Sequence, residues 1–120
     1  MTEIILVGCG NMGSAMLKGW LAADPELEAH VVEPVDHLRQ RAAEYGASAV
    51  RSAEELPPGL SPDLIFLAVK PQSMDDVVPS YAAFAGGRAT FVSIAAGTTI
   101  ATLAAMLPGP TPIIRCMPTT

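Results

Sequence analysis

The sequence predicts an α/β protein built on a doubly wound parallel sheet, and three observations carry that prediction. Short β-branched and aliphatic runs alternate with helix-period segments along the 120 residues, the alternation that produces parallel strands joined by crossovers. The run Glu3 to Val7 passes directly into Gly8-Cys9-Gly10-Asn11-Met12-Gly13 and then into Ala15, Met16, Leu17 and Lys18, which places a Gly-x-Gly-x-x-Gly turn between a strand and a helix. Half of the residues are apolar but only 5% are aromatic, a balance suited to an aliphatic sheet covered on both faces. With right-handed crossovers and the glycine turn behind the first strand, the expected strand order is 3-2-1-4-5-6. This is the Rossmann arrangement, with its ligand at the carboxyl ends of the strands where the order reverses.

The elements follow in turn. A first helix is expected from about Met12 to Ala22, with Ala15, Met16, Trp20 and Leu21 as an apolar stripe; Met16 and Trp20 read as packing residues. Asp24-Pro25 ends it, since proline cannot continue the hydrogen-bond ladder. Ala29 to Glu33 reads as a second strand stopped by Pro34. Leu38, Ala42 and Tyr45 share one face of a helix spanning Val35 to Tyr45, and Gly46 stands where a left-handed terminating residue belongs. A short third strand covers Ala47 to Val50. Ser52 to Leu56 can form one helical turn capped by Ser52, with Glu55 three residues on, before the prolines of Pro57-Pro58-Gly59 and Ser61-Pro62. Asp63 to Val69 is an apolar run behind one acid, the pattern of a strand covered on both sides, and Lys70-Pro71 breaks it. Ser73 to Phe84 reads as a helix with Asp75 and Asp76 in its first turn and Pro79 as a kink or interruption. Gly86-Gly87 leads into a fifth strand from Ala89 to Ile94, and Ala95-Ala96-Gly97 makes a small-residue turn. Thr98 or Thr99 caps a further helix through Leu107, and Pro112 to Cys116 is the sixth strand.

The chain has room for one domain and one sizeable core. Its net charge of −5 leaves no basic excess to pair with the phosphates of nucleic acid or an anionic membrane. No apolar run approaches the ~18 residues of a membrane span, and the N-terminus lacks the basic segment and cleavage site of a leader, so a cytosolic location is expected. Cys9 and Cys116 are far apart, and His30 and His37 have no ligand-type neighbours. These four read as core thiols and surface imidazoles, and no metal site is expected.

The residues just past each strand carry the functional reading. Gly8 makes the tight turn, Gly10 lets the backbone approach a pyrophosphate, and Gly13 lets helix and strand pack closely, while the helix N-terminus offers N–H groups to the anion. Glu33 lies 20 residues after Gly13, where a carboxylate can accept from the adenosine ribose hydroxyls. It would repel a 2′-phosphate, so the cofactor expected is NAD(P)H with a leaning to NADH; Arg39, Arg41 or Arg51 could offset that leaning by pairing with a phosphate. Lys70 supplies a mobile cation for a ribose or phosphate oxygen, and Pro71 fixes its turn. Ala95, Ala96 and Gly97 leave room for a flat ring and expose backbone groups to a carboxamide. Arg115 to Thr120 adds hydroxyls and a guanidinium. No nucleophile stands beside a base, an absence that hydride chemistry explains, because the cofactor performs it.

Four pieces taken together resemble the N-terminal half of the pyrroline-5-carboxylate reductase family: Gly8-Cys9-Gly10-Asn11-Met12-Gly13, Phe66-Leu67-Ala68-Val69-Lys70-Pro71-Gln72, Ser93-Ile94-Ala95-Ala96-Gly97 and Arg115-Cys116-Met117-Pro118. The resemblance implies reduction of 1-pyrroline-5-carboxylate to L-proline with NAD(P)H, the last step of proline synthesis. It implies that Asn11 and Met12 lie along the dinucleotide and that Ala68, Val69, Lys70 and Pro71 contact its ribose and phosphates. By the same resemblance Ala95, Ala96 and Gly97 flank the nicotinamide, and Met117, Pro118 and Thr119 border the substrate. The chain departs from the family at Glu33, where a small polar residue is common, and at Thr119, where asparagine is usual. It also departs in length: members carry a helical C-terminal domain that builds the dimer and most of the substrate site. The expectation is therefore a dinucleotide-binding domain over residues 1–120 with little activity alone, oligomeric only in a full-length form. Two other readings stay open. One is a stand-alone nucleotide-sensing module; the other is a different reductase, such as a deazaflavin-dependent NADP reductase or a 3-hydroxyacid dehydrogenase.

Overall fold

In the computed structural model, which describes residues 3–8, 10–24, 26–57, 59–69, 74–84, 89–93 and 113–115, six strands form: β1 (Glu3–Val7), β2 (Glu28–Val32), β3 (Ser48–Val50), β4 (Leu64–Leu67), β5 (Thr90–Ser93) and β6 (Ile113–Arg115). All five neighbouring pairs are parallel, and their order is β3-β2-β1-β4-β5-β6. The expected doubly wound sheet is the one observed. β1 has the expected bounds, β2 starts and ends one residue earlier than its run, and β3 to β6 are one to three residues shorter than the runs that announce them.

Side chains alternate along each strand, so the sheet has two apolar faces. Ile5, Val7, Val32, Ile65, Leu67 and Phe91 point to one core, and Ile4, Leu6, Ala29 and Val31 to the other. The second face is covered by α1 (Asn11–Ala23) and α2 (Asp36–Glu44), through Leu17 and Ala42, both fully buried. Trp20 packs on Phe66 with ring centroids 4.4 Å apart, which accounts for its place in the apolar stripe. The first face is covered by α3 (Met74–Val77), which continues as a 3-10 segment over Val78–Phe84. Val78 and Tyr81 from this segment enter the core.

Helix ends follow local chemistry. The α1 ladder closes at Asp24, whose N–H donates to the Trp20 carbonyl at 2.9 Å, one residue before Pro25. The end of α2 is a Schellman motif: Ala47 N–H reaches back to the Ala42 carbonyl and Gly46 N–H to the Ala43 carbonyl. Gly46 has φ +103°, a conformation open to glycine at no cost to side-chain sterics. The anticipated helix over Ser73–Phe84 is α-helical for one turn only. It tightens at Val78, immediately before Pro79, since proline has no N–H to give the ladder and disfavours α geometry in the residue before it.

One local expectation is corrected. Ala53–Glu55 is a 3-10 turn, but Ser52 makes no side-chain cap bond; the Glu55 carboxylate instead accepts from Arg51 N–H at 3.0 Å. At the amino edge, Glu3 and Asp63 clamp β1 to the approach of β4, with Glu3 N–H on Asp63 Oδ2 at 3.0 Å and Asp63 N–H on the Glu3 carbonyl at 2.7 Å. The helix expected to end at Leu107 lies outside the described residues.

Candidate functional site

The ladder bonds continue one residue past the strands, and this sets the geometry of the carboxyl edge. Gly8 N–H donates to the Val32 carbonyl at 2.8 Å, Glu33 N–H to the Val50 carbonyl at 2.9 Å, and Ala68 N–H to the Val7 carbonyl at 2.8 Å. Val7, Val32, Val50 and Leu67 stand level in the register. Gly8, Glu33, Arg51 and Ala68 are therefore the first residues beyond four adjacent strands, spaced by the ~4.8 Å between strands. They line a single cleft of about 580 Å³ together with Gly10, Val69 and residues of α3 and its extension. That volume falls within the ~300–1,000 Å³ of small-molecule sites.

The three motif glycines do three different things. Gly8 has φ +90°, and a Cβ there would stand 2.9 Å from the Ala68 carbonyl oxygen. Gly13 sits against the same turn: its Cβ would lie 2.8 Å from the Gly8 carbonyl oxygen. Gly10 is exposed, with nothing among the described residues within 4 Å of its Cβ position. Two glycines thus allow α1 and the β4 turn to press on the β1 turn, while the third borders open space at the start of a helix. The first intrahelical bond is Ser14 N–H to the Gly10 carbonyl, so the N–H groups of residues 11–13 precede the ladder, as the first donors of any helix do. An open cradle beside such donors and the positive end of a helix dipole suits a phosphate.

Glu33 is only 6% exposed. Its Oε2 accepts from Val35 N–H at 3.0 Å, which folds the carboxylate back over its own turn and fixes it at the cleft wall. The arginines separate in role. Arg39 donates from Nη1 to the carbonyls of Glu33 at 3.0 Å and Pro34 at 2.8 Å, and its other terminal nitrogen pairs with Asp36. It is bound to the β2–α2 turn. Arg51 is exposed and lines the cleft, whereas Arg41 does not.

The structure therefore brings together Gly8, Gly10, Glu33, Ala68 and Val69, with Gly13 directly behind them. Asn11 and Met12 form the first turn of α1. Lys70, Pro71, Ala95, Ala96, Gly97, Met117, Pro118 and Thr119 lie outside the described residues, as do Cys9 and Cys116. The lining residues that the sequence reading does not assign to the site include Asp76, Val77, Ser80 and Tyr81 from α3 and its extension. Pro79 interrupts the helical period of this segment, so residue spacing alone does not place them at the sheet edge. Among the described residues, no cluster of His, Cys, Asp and Glu could hold a metal ion and no helix is long and apolar enough to cross a membrane.

Tyr81 closes the bottom of the cleft at 1% exposure. Burial pushes its phenol above the ordinary value of 10.0, because the phenolate would lose its hydration. A pKa raised by folding gives a stability contribution that is complete below the unfolded value and is lost as pH rises from there toward the folded value. Melting temperature should therefore fall as pH climbs beyond about 10. The Tyr81→Phe variant should lack that alkaline component; an identical alkaline profile in the variant would contradict it.

Comparison with known proteins agrees with this fold. Residues 3–97 match the family described as NADP oxidoreductase, coenzyme F420-dependent. A pyrroline-5-carboxylate reductase of Escherichia coli is 36% identical over 121 residues, covering 98% of this chain and 44% of that protein. One from Pseudomonas aeruginosa is 34% identical, with 98% and 43% covered. The chain thus spans less than half the length of these relatives. A solved pyrroline-5-carboxylate reductase from Coxiella burnetii superposes with a TM-score of 0.82 at 23% identity over 99% of this chain and 44% of that one, a likeness of fold.

Proposed function

The chain belongs to the family of NADP oxidoreductases, coenzyme F420-dependent, and from that premise we propose that it is the NAD(P)H-binding half of a pyrroline-5-carboxylate reductase acting in proline synthesis in the cytosol. What carries the reading is the level row of Gly8, Glu33 and Ala68 around an open cradle at Gly10. The sequence pieces that resemble the reductase family, together with the identity to the named reductases, add the substrate. They also favour this reading over a deazaflavin-linked one, which rests on the family description alone.

The residues fit the cofactor. In this reading the N–H groups at the start of α1 hold the pyrophosphate, with Gly10 leaving them accessible. Glu33 accepts from the adenosine ribose, and Ala68 and Val69 let the chain pass close to the sheet edge. Lys70 and Pro71 belong with Ala68 and Val69 to the ribose and phosphates, Ala95, Ala96 and Gly97 to the nicotinamide, and Met117, Pro118 and Thr119 to the substrate. The chemistry supplied by a bound nicotinamide is hydride transfer to the carbon of a C=N bond. The helical remainder of the substrate pocket is assigned to a second domain of the kind that gives the relatives their greater length, and a homo-oligomer is proposed for that longer form.

Within this reading the cofactor is NADH. The Glu33 carboxylate is buried and fixed by Val35 N–H, so it cannot swing away from an incoming 2′-phosphate. Arg39 is engaged by three acceptors of its own turn, which leaves Arg51 as the arginine lining the cleft among the described residues. Calorimetric titration of the chain should give tighter binding of NADH than of NADPH. Glu33→Gln keeps an acceptor for Val35 N–H while removing the charge, and should raise NADPH affinity by about tenfold, the scale of one charged contact. Binding of neither nucleotide would remove the cofactor assignment. A proline-forming assay addresses the rest: efficient turnover by the 120 residues alone would refute the division of the substrate site between two domains.

A further inference from the structure

The cleft has lining residues that the glycine turn and the ribose carboxylate do not account for. Several are apolar and come from two sides: Val32 and Val35 from the β2 end, Ala53 from the turn after β3, and Val69 and Val77 from the β4 side. Tyr81, almost wholly buried, is the floor of the cleft. Apolar walls on two sides suit a flat heteroaromatic ring, and specificity in such a slot comes from a few polar groups at its rim.

Among the described residues, two carboxylates line the cleft, Glu33 and Asp76. Glu33 already receives Val35 N–H and sits at the sheet edge. Asp76 stands on α3 and is exposed, with Ser80 four residues further on, also lining the cleft. An ionised aspartate accepts hydrogen bonds and donates none. Placed at the rim of a ring slot, it selects a ring that carries an amine.

We propose that Asp76 is the base-reading residue of the cleft, accepting a hydrogen bond from an exocyclic amine and so selecting adenine over hypoxanthine in the bound dinucleotide. The inference rests on the dinucleotide assignment above and adds to it the residue that discriminates the base. Adenine presents an N6 amine to the rim; hypoxanthine presents a carbonyl oxygen at the same place. Exchanging one for the other removes a hydrogen bond to a charged acceptor and sets two acceptors against each other. Because Asp76 is exposed, water relieves part of that conflict, and the discrimination is on the order of tenfold rather than the ~10⁴-fold of a fully enclosed site.

The test is a calorimetric titration of the chain with NADH and with reduced nicotinamide hypoxanthine dinucleotide, in the wild type and in Asp76→Asn. The wild type should bind NADH about tenfold more tightly. Asparagine offers an acceptor to an amine and a donor to a carbonyl, so the variant should bind the two with nearly equal affinity, at an unchanged melting temperature. Equal affinities in the wild type, or an undiminished ratio in Asp76→Asn, would overturn the role of Asp76 while leaving the cofactor assignment standing. A wild type that binds neither nucleotide removes the assignment and the base reading together.

Discussion

Gly8→Ala is expected to lower the melting temperature by on the order of 10 °C. Two costs combine. The backbone at Gly8 has φ +90°, where a Cβ costs roughly 1–2 kcal/mol. The same Cβ would stand 2.9 Å from the Ala68 carbonyl oxygen and 3.2 Å from Val69 Cγ1, and overpacking of this kind costs about 1–3 kcal/mol more. Neither side of the contact can retreat freely. Gly8 N–H is held by the Val32 carbonyl and Ala68 N–H by the Val7 carbonyl, both at 2.8 Å, so relief would require opening the central ladder of the sheet. A total of about 3 kcal/mol is a large fraction of the ~5–15 kcal/mol available to a domain of this size. Thermal melting followed by circular dichroism measures it; a shift of less than about 2 °C would show that the β1 and β4 turns are not locked together as described.

That lock also marks how far sequence reasoning reaches. Alternation of apolar runs with helix-period segments was enough for the sheet and its order, because burial on two faces leaves few other ways to place Ile4 to Val7 or Leu64 to Leu67. The glycine motif gave the turn, and the interval to Glu33 gave its neighbour across the sheet edge. Contacts made by folding back were not legible. Nothing in the residue order tells that Glu33 Oε2 would take Val35 N–H, or that Arg39 would spend its guanidinium on the β2–α2 turn; both depend on rotamers chosen by packing. Asp76 and Tyr81 were hidden for another reason. Pro79 breaks the helical period between them, so the face they share emerges only once α3 tightens into a 3-10 segment.

Gly10→Ala should separate binding from stability, with NADH affinity falling at least about tenfold while the melting temperature stays within about 2 °C of the wild type. Gly10 has φ −73° and ψ −161°, extended geometry that alanine adopts without strain. Its added Cβ would meet nothing within 4 Å among the described residues, and the smaller freedom of alanine in the unfolded chain works slightly in its favour. The methyl group would instead project into the cradle at the start of α1. A phosphate kept at a distance there forfeits hydrogen bonds to N–H groups that are strongest when the acceptor is charged. The contrast with Gly8 is the informative part, since both glycines belong to one motif and a purely structural turn would make both substitutions act on folding. Retained NADH binding in a folded Gly10→Ala chain would mean that the cradle is not where the dinucleotide lies. Lost stability would mean that the space beside Gly10 is filled by the chain itself. A folded variant that no longer binds ties the open space at Gly10 to the ligand, and assigns the motif's second glycine to recognition and its first to the fold.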